Sequence, residues 1–408
     1  MPRATAIDTL ATYAGSAFKL AVPLLVVPLL ARRLDPSSFG LVAVLVSVAM
    51  SLSILVELGF GLSATRAAVN ASQLERRRIA EQVLGARVAV AACLLAVAAL
   101  VAWGFGVHAL TPGSVMATAA LTVATGWTNA WYFQATGQLR RHAAIEVAAM
   151  VGGAAIFALA ARDVASTLWC YCVLYGLAPA LSLVWIHASL GRPSLSTSIV
   201  LSGLRMTGSM ASFRALTTSY TAAVPALLAL VVPLPGVAAF HIADRMVRAF
   251  AAPLQPLTLV LYPVQCELQQ RDPIVFLRVS SRLLAMAVTS GLVAAALLFL
   301  GDDAVMQLFA GAELASSAGD VLRVLCWILA PLYGSTVLGM LWLLPLRDDQ
   351  FFNRCIAVGA VMGIGLLLTL PAAYGSPGAA WSLLAAEATV FGGMAIRFIT
   401  ATKLHISS

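Results

Sequence analysis

Four side chains with chemical potential fall on one stripe of a single apolar stretch: His241, Asp244, Arg245 and Arg248, spaced i, i+3, i+4 and i+7. That spacing is one face of a helix. Counted from Gly236 at about 1.5 Å per residue, Asp244 lies ~12 Å and Arg248 ~18 Å along it, near the middle of a ~30 Å hydrocarbon layer. Ionisable groups at that depth are costly, so they face a protein interior or a water-filled cavity. The planar guanidinium offers paired donors that match phosphate and carboxylate oxygens. An Asp244–Arg248 pair at i+4 would by itself only stitch the helix, and it leaves Arg245 and His241 unexplained. Pro253 and Pro256 follow, and proline within a span kinks it and frees carbonyls.

Other charges interrupt apolar runs. Lys19 shares a helical face with Gly15 and Pro23, and Arg214 stands about two turns into a later run. Glu57 and Glu146 lie near the ends of their runs, where a side chain can also snorkel to the interface. Glu387 sits in the middle of the last one. Positive groups outnumber acids at the deep positions. We therefore read Lys19, Arg214, His241, Arg245 and Arg248 as the lining of a cavity for an anionic cargo.

These residues need a scaffold made of membrane spans. Of 408 residues, 61% are hydrophobic and 10% charged, with a mean hydropathy of +0.93; that composition excludes an ordinary soluble protein. Twelve spans are expected: Leu10–Ala31, Phe39–Gly59, Val83–Gly104, Pro112–Thr136, Ala143–Ala161, Ala165–Ile186, Thr207–Val232, Gly236–Tyr262, Val279–Leu300, Val321–Pro345, Phe351–Ala373 and Gly378–Phe398. The fold class is an all-α polytopic membrane protein with about 12 transmembrane helices, six in residues 1–190 and six in 191–408, as two bundles around a central cavity. The first run is too long for a signal-peptide core and is read as a retained span. The formal charge of +8 is spread over short loops, which fits topology signals and not nucleic-acid binding. Arg66, Arg76, Arg77, Arg78, Arg87, Arg140 and Arg141 fall on one side with most later arginines, whereas Arg32, Arg33, Arg162 and Arg323 fall on the other. Both termini are thus expected in the cytoplasm, with the acidic loop Gly301–Asp320 outside. The segment Ser72–Glu81 has a capping-type start, Glu75 standing three residues after Ser72. Its arginine triplet sets topology or holds anionic headgroups. The six cysteines lie in or beside apolar runs without metal-ligand spacing, and are read as core residues. No cofactor is implied.

Two stretches carry a resemblance. Residues 34–40 read Leu-Asp-Pro-Ser-Ser-Phe-Gly after a proline- and leucine-rich run, and the next run ends in Glu57-Leu58-Gly59-Phe60-Gly61. Leu308–Pro331, LFAGAELASSAGDVLRVLCWILAP, forms the second. Together these resemble bacterial polysaccharide flippases, the Wzx-type branch of the multidrug/oligosaccharidyl-lipid/polysaccharide exporter superfamily. The resemblance implies a polyprenyl-diphosphate-linked oligosaccharide, such as an O-antigen repeat unit, carried from the cytoplasmic to the outer leaflet of a bacterial inner membrane. On that reading Lys19, Arg214, Arg245 and Arg248 contact diphosphate or sugar acids. Asp244, Glu387 and Glu57 are candidates for coupling to H+ or Na+, or for charge pairing. Membrane lipids and other polysaccharide assembly proteins are the implied partners.

Rival classes fit less well. A multidrug cation antiporter of the same superfamily calls for an acid-lined cavity. A polymerase or glycosyltransferase calls for a large aqueous domain, and no extramembrane segment here is long enough; no phosphate-binding glycine loop is present either. The superfamily's peptidoglycan-precursor flippases resemble fourteen-span proteins, two more than expected here.

Overall fold

The computed structural model describes residues 22, 24–69, 71–104, 110–191, 193–194, 196–205 and 222–406. Lys19 and Arg214 lie outside the described residues. Among those described there is no strand. The helices are α1 (24–33), α2 (Pro36–Glu57), α3 (Phe60–Ala68), α4 (Gln73–Gly104), α5 (Pro112–Gly126), α6 (Ala130–Thr136), α7 (Leu139–Ala160), α8 (Val164–Leu190), α9 (Thr197–Arg205), α10 (Val224–Leu228), α11 (Leu234–Ala251), α12 (Leu254–Arg271), α13 (Pro273–Leu300), α14 (Asp302–Leu325), α15 (Leu329–Thr336), α16 (Asp349–Tyr374) and α17 (Ser376–Ile406). Eight stretches of described helix are long and apolar enough to cross a membrane.

Short polar residues start these helices by satisfying amides that have no intrahelical partner. Asp35 accepts from the Ser37 and Ser38 amides at 3.0 Å each. Asp163 and Ser166 cap α8 reciprocally, and Asp272 accepts from Ile274 and Val275. The box expected at α4 forms: the Ser72 amide donates to Glu75 at 2.7 Å, and the Glu75 amide donates to the Ser72 hydroxyl at 3.3 Å. Of the arginine triplet behind it, Arg76 donates to the Ala68 and Val69 carbonyls at the end of α3, and Arg77 meets Glu81 at 3.3 Å. Arg78 alone is exposed.

The chain divides into two units. The first holds the described residues up to Leu34 and from Leu41 to Ala226; the second holds Asp35–Gly40 and the chain from Leu227 onward. In the first unit, a core of Phe60, Ala64, Trp131, Tyr132 and Phe133 joins α3, α4 and α6. Helix α9 docks on α4, where a Cβ on Gly203 would fall 2.2 Å from the Gln82 carbonyl oxygen. Helix α9, which follows residue 190, therefore packs with the first unit. In the second unit the core forms around Phe276, Trp342 and Phe398, with the Trp342 and Phe398 rings 4.9 Å apart and edge to face.

Three expected elements come out differently. The span expected over Pro112–Thr136 is broken at 127–129 between α5 and α6. The span expected over Gly236–Tyr262 ends at Ala251 and restarts at Leu254, at the Pro253 that lacks an amide for the ladder. The loop expected over Gly301–Asp320 is helical, with a break at Gly311, whose φ of 69° suits a residue without Cβ. Asp302 and Asp303 favour that helix start through the dipole, and Arg323 binds both carboxylates. From Asp302 the helical path continues through a 3-10 turn at Cys326–Ile328 and α15 into a π-helical segment at Val337–Leu343.

Candidate functional site

Helix breakers build a polar cavity in the first unit. Leu58 and Gly59 take positive φ between α2 and α3, at 52° and 73°. The Glu57 carboxylate fills that break by accepting from the Gly59 amide at 3.2 Å and the Gly61 amide at 3.1 Å. The second break, at Trp127–Asn129, leaves a carbonyl that Arg87 takes up: its Nη1 donates to the Thr128 carbonyl at 2.7 Å and to Asn129 Oδ1 at 3.3 Å. Asn129 Nδ2 in turn donates to the Pro179 carbonyl inside α8 at 3.0 Å. Arg87 is fully buried, with its guanidinium 5.4 Å from the Phe60 ring centroid and within the field of Glu57. It stands in α4, within the expected span Val83–Gly104. Only Nη1 of this buried guanidinium is hydrogen-bonded, Nε and Nη2 having no partner, and the Phe60 ring and the field of Glu57 offset part of the burial cost.

Around these breaks lies a cavity of about 640 Å³. Glu57, Gln134, His142, Glu146, Tyr175 and Ser182 supply most of its polar chemistry, and no Lys or Arg stands among its described lining residues. His142 Nε2 meets Glu146 at 3.1 Å, and the His142 ring stacks on Phe133 with centroids 5.0 Å apart. Helix α5 approaches α2 closely here: a Cβ on Gly126 would fall 2.3 Å from the Ser53 carbonyl oxygen. The sequence had offered Glu57 and Glu146 separately, as groups near helix ends. His142, Gln134, Asn129 and Arg87 were missed. The breakers Gly59, Gly126 and Pro179 were the signals that place them.

In the second unit, α11 carries the predicted stripe. Arg248 Nε and Asp244 Oδ2 are 2.6 Å apart, with side chains 45% and 13% exposed. Arg245 is half-buried beside them. His241 belongs to the packed side: it is 5% exposed, its ring lies edge to face with Phe39 at 6.1 Å, and its Nδ1 has no partner. The start of α2 makes room for this contact, because a Cβ on Gly40 would fall 2.0 Å from the Leu234 carbonyl oxygen. Glu387, on α17, is half-buried within reach of the Ser335 hydroxyl and in the field of Arg248. Asp244, Arg248 and Glu387 thus come together, while Glu57 belongs to the other unit's cavity.

The description "Polysaccharide biosynthesis protein" matches residues 8–269. The chain belongs to the polysaccharide biosynthesis protein family. The matched part includes the whole first-unit cavity and the α11 stripe, and Glu387 lies beyond it. No curated relative matches the sequence. Among solved structures, "Lipid II flippase MurJ, inward closed conformation" is similar over 96% of this chain and 87% of that one, at 11% identity and a TM-score of 0.71. An inward-facing "multidrug resistance MATE family transporter of the MOP superfamily" covers 95% and 96%, at 16% identity and a TM-score of 0.71. A MOP superfamily transporter from Pyrococcus furiosus, described as having reverse polarity of its binding pocket, covers 98% and 94%, at 13% identity and 0.56. These likenesses show the fold. This member of the polysaccharide biosynthesis protein family is an all-α, multi-pass membrane protein with the fold of MOP transporters.

Proposed function

We propose that this protein is a flippase for a polyprenyl-diphosphate-linked oligosaccharide, an O-antigen type of repeat unit. It moves this lipid from the cytoplasmic to the outer leaflet of the bacterial inner membrane by alternating access, with both termini in the cytoplasm. The observation that carries the reading is the arginine pair on α11: Arg248 is nearly half exposed with one carboxylate at its Nε, and Arg245 lies one residue beyond that carboxylate. Two guanidinium groups on one open helix side suit a diphosphate, whose oxygens accept paired donors. Lys19 and Arg214 are further proposed contacts. Asp244 and Glu387 balance Arg248 or take a coupling proton or Na+, and Glu57 is proposed for coupling in the first unit. The family membership supports a polysaccharide precursor as cargo.

The test is translocation of lipid-linked glycan in cells lacking the chromosomal gene, with membrane abundance measured alongside. An Arg245→Ala, Arg248→Ala double variant should lose at least tenfold in outward delivery while remaining at normal abundance. Normal delivery by that variant would remove the diphosphate site. A reporter after Ser408 should behave as cytoplasmic and one near Asp303 as external.

One observation favours the rival multidrug cation antiporter: the first-unit cavity carries Glu57 and Glu146 among its described lining. Resistance of expressing cells to lipophilic cations, lost on Glu146→Gln, would support that rival over the flippase.

A further inference from the structure

The first-unit cavity contains more hydrogen-bonding capacity than the protein uses. Ser182 is 1% exposed, lines the cavity and has no partner for its hydroxyl. Its neighbours behave differently: the Thr118, Thr122, Thr125 and Ser189 hydroxyls each donate to the carbonyl four residues back. A helical serine that forgoes this bond, with Ala178 one turn away, points its hydroxyl at something else. The His142 ring is placed likewise, with Nε2 on Glu146 and a buried Nδ1 that has no partner. Buried polar atoms without protein partners are uncommon, and two on the wall of one cavity offer a ligand hydrogen-bonding positions.

The acids do not make the cavity a pit for a bare cation. Glu57 already accepts two amide N–H groups and lies in the field of Arg87, and Glu146 has His142. Each of the two carboxylates is thus engaged by groups of the protein itself. Gln134 adds an amide, and Tyr175 presents an aromatic ring, itself stacked with Tyr171 at 6.1 Å and 7° between planes. Carboxylates, an amide and a hydroxyl beside an aromatic face match vicinal hydroxyls and the apolar face of a sugar ring. The volume, about 640 Å³, falls in the usual range for small-molecule sites.

We infer that this cavity is a glycan subsite that takes uncharged sugar residues of the cargo, with Glu146, Gln134 and Ser182 as hydrogen-bonding partners and Tyr175 as the stacking face. The inference rests on the flippase reading and adds to it the class of sugar. Uncharged and N-acetylated rings fit, because an acetamido N–H can donate to a carboxylate. Acidic sugars fit less well, because the described lining carries the Glu57 and Glu146 carboxylates and no Lys or Arg.

The experiment uses the full-length protein in lipid nanodiscs and saturation-transfer NMR with free chitotriose, trigalacturonate and tetraphenylphosphonium as probes. Chitotriose should bind saturably, and trigalacturonate at least tenfold more weakly. Ser182→Ala separates a ligand role from a structural one. Removing an unsatisfied buried hydroxyl should leave the thermal midpoint unchanged or raised, while chitotriose affinity drops about fivefold. Glu146→Gln and Gln134→Ala should each weaken it by a similar factor or more. Absence of chitotriose binding, binding indifferent to all three substitutions, or binding of tetraphenylphosphonium alone would each overturn the subsite. Lipid-linked glycan translocation is measured on the same variants. Normal translocation without sugar binding overturns the subsite and leaves the flippase standing; sugar binding without any translocation by the unmodified protein does the reverse.

Discussion

The two units use the same residue types in opposite ways. In the first, Arg87 is sealed from solvent among the Thr128 carbonyl, the Asn129 amide and the Phe60 ring, and both cavity acids have donors. In the second, Arg248 keeps nearly half its side chain open and leans on Asp244 one turn away. An arginine in a membrane helix is therefore not in itself a binding group. Where the guanidinium is buried and one nitrogen ties a helix break to its neighbours, as at Arg87, it is scaffold; where nearly half the side chain reaches solvent, as at Arg248, a cargo can reach it.

The largest expected effect tests that contrast through stability. Arg87→Ala removes the donor that holds the α5–α6 break and leaves the Thr128 carbonyl and Glu57 without it, so a loss of about 3–5 kcal/mol is expected. Arg248→Ala removes an i, i+4 pair with one open partner, worth less than about 1 kcal/mol. Thermal midpoints in detergent should separate the two substitutions widely, and Arg87→Lys should recover only part of the loss, because an ammonium can bond the same oxygens but does not stack on the Phe60 ring as a guanidinium does. Equal midpoints for the two alanine variants would break the comparison.

The next effect is on anion binding. Asp244→Asn frees Arg248 from its carboxylate, so affinity for inorganic diphosphate, followed by calorimetry, should rise several-fold and fall steeply with salt. Glu57→Gln, in the other unit, should leave it unchanged. Accessibility is a finer test. In a cysteine-free background, cysteine at 248 should react fastest with water-soluble thiol reagents, then 245 and 244. Cysteine at 243 or 246 should be protected, since Ala243 and Met246 are 0% and 4% exposed. Position 241 should follow the protected group, although its spacing alone had placed it with the reactive ones.

That last case shows what the sequence can convey. The α11 stripe was legible because four polar residues at helical spacing interrupt an apolar run, and the Asp244–Arg248 pair is local. Its reach was overstated at His241: the i, i+3, i+4, i+7 rule covers a broad arc, and the edge of that arc is decided by Phe39 on another helix. The first-unit cavity was not legible as a unit. Its polar residues come from α2, α6, α7 and α8, each contributing one or two side chains that look incidental in isolation. Arg87 was hidden more thoroughly, because it follows Arg76, Arg77 and Arg78 closely enough to read as part of a cytoplasmic cluster. The fold class needed no tertiary information, since apolar run length in a bilayer dictates helices.

The smallest effect concerns the start of α2, which packs within the second unit against the stripe-bearing helix. Asp35 is held below the ordinary aspartate range by the Ser38 hydroxyl and by the Ser38 and Ser37 amides. A carboxyl with a lowered folded value stabilises the fold above its unfolded value, near pH 3.9, and loses that contribution as pH falls through the folded value. Asp35→Ala should therefore cost about 1 kcal/mol at pH 7, with the gap to the unmodified protein closing below pH 4. Asp35→Asn should cost less, since an amide oxygen still accepts from the two serines. Because the cap sets the first turn that carries Phe39, the alanine variant should also raise thiol labelling at position 241 slightly and leave labelling at 248 alone. Unchanged labelling at 241 would mean that α11, and not the α2 cap, keeps that ring buried.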